Sequence, residues 1–166
     1  MNVLVVCQYY RPEPFKIGEI CESLQSEGHR VTVLTGLPNY PSGVISKEYR
    51  WGRSRETDIN GVEVIRCFEI GRGTDPIRLA LNYVSFLASA SFRALRIRGD
   101  FDVVFVYQLS PVTMAVPGIV AKKRLKKPLL LYSLDLWPES MKTMINSEES
   151  LLFRIASRAS RAIYSE

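Results

Sequence analysis

The residues best suited to chemistry are Asp135, Trp137 and Glu139, in the segment Asp135-Leu136-Trp137-Pro138-Glu139-Ser140 directly behind the apolar run Leu129-Leu130-Leu131-Tyr132-Ser133-Leu134. An acid, an indole, a proline and a second acid after such a run read as a buried strand that opens into a crowded loop. In open parallel sheets ligands bind outside the carboxyl ends of the strands, so this loop lies where chemistry is placed. A second loop of the same kind follows Asn2-Val3-Leu4-Val5-Val6-Cys7, where Gln8-Tyr9-Tyr10-Arg11-Pro12-Glu13-Pro14 breaks the strand with two prolines. Strand-end loops rich in Tyr, Trp, Glu and Arg suit a polar, ring-shaped ligand.

The elements that must position these loops alternate along the chain. Ile17, Ile20, Cys21 and Leu24 fall at helical spacing, Gly28 reads as a helix stop, and Val31 to Thr35 reads as a second strand, which completes a β-α-β unit. Gly36 to Asn60 reads as a long irregular segment, of a length that is uncommon unless it binds or moves something. Asn60-Gly61 turns into a strand from Val62 to Phe68. Pro76 opens a helix that runs from Ile77 to Arg98. Phe101 to Tyr107 is a further strand, ending in Gln108. Val112 to Leu125 is a helix with Pro117 as a kink or late start, and Leu151 to Ile163 is a last helix. This alternation predicts an α/β, Rossmann-like, mainly parallel sheet with helices on both faces.

At 166 residues the chain suits a single domain spanning 1–166. A dinucleotide fingerprint is missing: Gly18 is the one glycine between the first strand and Gly28, which disfavours an NAD enzyme. Cys7, Cys21 and Cys67 are odd in number and lack a Cys-x-x-Cys pair, so buried, reduced thiols fit better than a disulfide or zinc framework. No signal peptide precedes the first strand, and the expected compartment is the cytoplasm. His29 follows the helix-stopping glycine, away from the strand carboxyl ends, and reads as structural. No cluster has metal-ligand spacing.

The net charge of +5 gathers in Arg93, Arg96 and Arg98 and in Lys122 to Lys127. Such clusters suit anionic partners, but no recognition motif points to nucleic acid. The uncharged run from Leu79 to Phe92 is 14 residues, short of the ~20 that span a bilayer. Its apolar width and arginine-rich end match either an interfacial helix or a helix packed on the sheet.

Taken in order, Gln8-Tyr9-Tyr10-Arg11-Pro12-Glu13, Gly28-His29-Arg30-Val31-Thr32-Val33-Leu34-Thr35, Leu37-Pro38-Asn39-Tyr40-Pro41-Ser42-Gly43 and Asp135-Leu136-Trp137-Pro138-Glu139-Ser140 resemble the amino-terminal domain of bacterial glycosyltransferases of family 4. The resemblance is strongest to the branch that builds capsule and O-antigen sugars and includes fucosamine transferases. It implies one half of a GT-B fold: this half on the acceptor side, with the donor-binding second domain expected outside the chain. It also implies a nucleotide-sugar donor such as a UDP-sugar, a polyprenyl-diphosphate-linked sugar acceptor, no bound cofactor or metal, retention at the anomeric carbon, and little or no turnover by this half alone.

On that resemblance Asp135 is the expected catalytic contact to the acceptor hydroxyl. Tyr9, Tyr10, Glu13, Lys16, Asn39, Tyr40, Gln108, Trp137 and Glu139 are expected to bind the acceptor. Phe86, Phe92, Arg93, Arg96 and Arg98 are expected at the inner face of the cytoplasmic membrane, where the protein is peripheral. An alternative is a non-catalytic, membrane-recruiting subunit that pairs with a separate donor-binding chain.

Overall fold

A computed structural model describes residues 1–52, 54–140 and 151–166. Six strands form one sheet: β1 (Asn2–Val6), β2 (Arg30–Thr35), β3 (Glu56–Ile59), β4 (Val62–Arg66), β5 (Val103–Gln108) and β6 (Leu129–Ser133). Their order is β3-β4-β2-β1-β5-β6, with all neighbours parallel except the β3–β4 pair. The helices are α1 (Ile17–Ser26), α2 (Pro76–Arg96), α3 (Val116–Leu125) and α4 (Leu151–Tyr164). The α/β, mainly parallel architecture expected from the alternation is the one observed, and it is that of one GT-B half.

The sequence explains why these elements form. Continuous apolar runs in β1 and β5, and the buried residues 31–35 of β2, suit strands covered on both faces. Gly28, at φ +86°, supplies the left-handed residue that ends α1. Asp75 caps α2 by accepting a hydrogen bond from the Arg78 N–H at 2.9 Å, and Pro76 occupies the first helical turn. Pro117 likewise stands in the first turn of α3, behind a short 3-10 turn at Val112–Ala115, so it marks a late start and not a kink.

Two cores result. On one face α2, α3 and α4 cover Leu4, Val6, Leu34, Val104 and Val106, with Phe86, Ala90 and Ala94 facing inward from α2. On the other, α1 covers Val3, Val5, Val31, Val33 and Val64, together with Tyr10, Ile17 and Cys21. All three cysteines are buried free thiols, and burial pushes Cys21 and Cys67 up to about 12.

Two expectations are corrected. The segment 36–60 is not irregular throughout: it holds a 3-10 turn at Lys47–Gly52 and strand β3, paired antiparallel to β4 across Asn60-Gly61. β6 is not buried on both faces. It lies at the sheet edge, beyond the reach of α1, and leaves Leu130, Tyr132 and Leu134 exposed.

Candidate functional site at the strand carboxyl ends

From β1 the chain winds outward to β2 and β4 on one side, and from β5 to β6 on the other. The order therefore reverses between β1 and β5, and a crevice opens at their carboxyl ends. Gln8 and Gln108 stand at those two ends, both fully buried. The Gln108 amide donates to the carbonyls of Leu109 (2.7 Å) and Asp135 (2.9 Å), so it ties the end of β5 to the Asp135 loop. Gln8 donates to Glu69 at 3.1 Å and to Asn82 at 2.8 Å.

A buried polar layer spreads from Gln8. The Glu69 carboxylate is fully buried and also accepts from the Asn39 amide at 2.5 Å. Asn82, from the inner face of α2, donates to the Ile70 carbonyl at 2.7 Å. Glu13 accepts the backbone N–H groups of Tyr10, Asn39 and Tyr40, and so clasps the loops after β1 and β2 together. Burial holds Glu69 well above the ordinary carboxylate range; the Gln8 hydrogen bond opposes this, and the Glu13 charge adds to it. Glu13 is raised for the same leading reason, even against its three N–H donors.

Above this layer lies the accessible rim. Tyr9, Phe15 and Tyr40 form an aromatic cluster in which Tyr9 stacks on Phe15 at 5.0 Å and Tyr40 is 39% exposed. The Arg72 guanidinium sits 5.6 Å from the Tyr40 ring centre. Tyr83 is raised chiefly by burial, with Arg72 lowering and Asp135 raising it, so its neutral hydroxyl lies in the field of both charges. Trp137 Nε1 donates to Ser110 Oγ at 3.1 Å and to Asp135 Oδ2 at 3.3 Å, which orients the half-buried Asp135 carboxylate. One open cavity of about 450 Å³ is lined by Tyr40, Arg72 and Leu79, and another of about 600 Å³ by Trp137, Glu139 and Tyr164. An acid oriented by an indole, a cation and an exposed aromatic face around open cavities can hold a polyhydroxylated ligand and draw a proton from one of its hydroxyls.

A family model described as a glycosyl transferase 4-like domain matches residues 16–166. The chain belongs to that family. Its class of chemistry is therefore glycosyl transfer, which suits an acid at the crevice better than dinucleotide binding does. No curated protein matches the chain. In this glycosyl transferase 4-like domain Gly18 lies under Arg11, whose guanidinium crosses it to reach Glu22 at 3.0 Å. The glycine serves the chain's own arginine, not a pyrophosphate.

Of the expected contacts, Trp137 and Asp135 meet at one cavity with Glu139 exposed beside Trp137, and Tyr40 lines the other. Other expected contacts lie elsewhere. Tyr10 is wholly buried in the α1 core, and Glu13, Asn39 and Gln108 are buried loop-holding groups, so these four support the site from beneath. Tyr9 is 4% exposed and backs Tyr40. Lys16 is exposed and paired with Glu19 at 2.9 Å. Phe86 is buried between α2 and the sheet and cannot meet a membrane, because the spacing 82, 86, 90, 94 defines the inward face of α2. Phe92, Arg96 and Arg98 are exposed; Arg93 pairs with Glu56. Among the described residues, no group of three or more His, Cys, Asp or Glu can hold a metal.

Sequence reasoning missed Glu69, Arg72, Asn82 and Tyr83. The rule that singled out Asp135, an acid behind an apolar strand, also marks Glu69 behind Val62 to Phe68. Asn82 is an amide four residues before Phe86, on the same helix face, which is a signal of an internal hydrogen bond.

Proposed function

We propose that this domain holds the saccharide acceptor of a retaining glycosyl transfer at the β1/β5 crevice. Asp135 takes the hydroxyl hydrogen bond, Tyr40 and Trp137 stack on sugar rings, and Arg72 and Tyr83 complete the polar rim. The donor, a nucleotide-sugar such as a UDP-sugar, is held by a second domain of the GT-B pair. The observation behind this reading is that Tyr83 lies in the field of both Asp135, which Trp137 orients, and Arg72, which sits over the Tyr40 ring. The ordered motifs shared with capsule and O-antigen transferases support a bacterial surface-polysaccharide pathway and a lipid-linked acceptor. Asp135→Ala is expected to weaken saccharide binding about 10-fold or more, the loss of one charge-assisted hydrogen bond. Calorimetry checks this, and unchanged affinity in both Asp135→Ala and Tyr40→Ala contradicts it.

We further propose that the cytoplasmic face of the membrane is the partner of α2. Ile77, Leu81, Val84, Ala88, Phe92 and Leu95 form an exposed apolar stripe along its outer side, at spacings of three and four, and Arg96 and Arg98 flank its end. No helix among the described residues is long and apolar enough to cross a membrane. Combining Phe92→Asp, Arg96→Glu and Arg98→Glu is expected to cut sedimentation with anionic liposomes at least tenfold. Equal sedimentation of variant and parent would rule this orientation out.

A further inference from the structure

The Asp135 carboxylate owes its direction to Trp137, whose Nε1–H divides between Ser110 Oγ and Asp135 Oδ2 at 3.1 and 3.3 Å. An indole can aim a neighbour only if it is itself held. Trp137 is held at its backbone: its N–H donates to the Tyr164 hydroxyl at 3.2 Å, from the last turn of α4. The two residues are 27 positions apart, so no local spacing announces the contact. Ile163, next to Tyr164, packs against the core on the α2 face, and α4 rests on the 3-10 turn at Val112–Ala115. The hydroxyl therefore stands on a fixed base.

The same hydroxyl has a second contact. Gln108 is 0% exposed, so its two amide hydrogens and two oxygen lone pairs each need a partner. The amide donates to the carbonyls of Leu109 at 2.7 Å and Asp135 at 2.9 Å. Gln108 Oε1 accepts from Ser133 Oγ at 2.5 Å, and the Tyr164 O–H points to its remaining lone pair at 3.5 Å. Tyr164 thus donates toward a buried amide and accepts from the Trp137 backbone. Both contacts lead to Asp135: one through Gln108 to its carbonyl, the other through Trp137 to its carboxylate.

The Tyr164 ring lines the cavity of about 600 Å³ beside Trp137 and Glu139. A tyrosine that gripped a ligand there would offer it a hydroxyl. Here the hydroxyl is already engaged as donor and as acceptor, which fits a group that aims another side chain.

We propose that Tyr164 is a positioning residue for Asp135: its hydroxyl, bridging Gln108 and the Trp137 backbone, sets the direction of the acid without touching the acceptor. The aim of the carboxylate stands on this geometry alone; its effect on acceptor binding rests on Asp135 being the acceptor contact.

Tyr164→Phe removes the hydroxyl and keeps the ring, and its first readout needs no ligand. The Trp137 Nε1–H proton resonance, identified by its loss in Trp137→Phe, should move when Asp135 is titrated with acid and stay still in Asp135→Asn. In Tyr164→Phe that movement should fall by at least half. A resonance that ignores Asp135 in the parent, or moves fully in Tyr164→Phe, overturns the proposal. The second readout is calorimetric affinity for N-acetylglucosamine linked to farnesyl diphosphate. Tyr164→Phe should weaken binding at least fivefold in the parent and less than twofold in the Asp135→Ala background, where there is no acid left to aim. Equal losses in both backgrounds would mark a merely structural role and overturn the proposal. A parent that binds no such sugar would sink the acceptor reading, and the resonance would still decide what aims Asp135.

Discussion

Gly118→Val is expected to be the most damaging single change in the fold. Gly118 faces β5 from the first turn of α3, and a Cβ at this position would overlap Val106 Cγ2, with Leu129 Cδ1 also in contact at 3.7 Å. Val106 is fully buried at the centre of the sheet and has no room to give way. α3 must therefore lift from β5, carrying with it its contacts to α2. Overpacking of this kind costs about 1–3 kcal/mol for each modest insertion, and valine inserts three carbons. Against a total stability of about 5–15 kcal/mol, this is a large share. Chemical denaturation checks the effect. The milder Gly118→Ala should be partly rescued by Val106→Ala, because the second change removes the methyl that the first one strikes. Strict additivity of the two losses would contradict this packing account.

The second large effect concerns Glu69. The folded protein keeps its carboxyl protonated at pH values where the unfolded chain, with an ordinary value of about 4.3, has released the proton. The favourable contribution of the protonated form is thus fully present below about pH 4.3 and is lost as pH rises through the raised folded value. Glu69→Gln removes this titration. The melting temperature of the parent should fall as pH rises from about 4.3 through the raised folded value and level off above it, and the variant should show a flatter profile, with a residual slope from Glu13, which is shifted in the same direction. Identical slopes would mean that Glu69 is ionised in the fold. Glu69→Ala is expected to destabilise at every pH. It strips acceptors from Gln8 and Asn39, at about 1–3 kcal/mol for each buried donor left unpaired.

Much of this molecule was legible in its residues. Long apolar runs such as Val3 to Cys7 announce strands whatever their neighbours do, and helices with Pro at the start or Gly at the end announce their own limits. β3 escaped because four residues reading Glu-Thr-Asp-Ile have no apolar run. The Asn60-Gly61 turn was the available signal, since a hairpin turn needs a strand on each side. Burial of β6 was misread because its composition matches that of a central strand, while its edge position depends on which helices cover it, a property of the whole topology.

The site divides in the same way. Asp135, Trp137 and Tyr40 were found because they are large or charged residues at strand ends. Tyr10 looks identical in sequence to Tyr9, but alternation at the end of β1 sends Tyr10 into the α1 core and Tyr9 toward Tyr40. Arg72 and Asp135 act on Tyr83 only through tertiary packing, and no local spacing links them.

On the proposed function, the β1/β5 crevice holds an acceptor saccharide and does not itself hold a nucleotide. Calorimetric titration of the chain with a short-chain polyprenyl-diphosphate sugar, a UDP-sugar and NAD tests it most directly. Binding of the first, weakened by Asp135→Ala and Trp137→Ala, is expected, with little affinity for the two nucleotides. Tight NAD binding with no response to the lipid-linked sugar would contradict it.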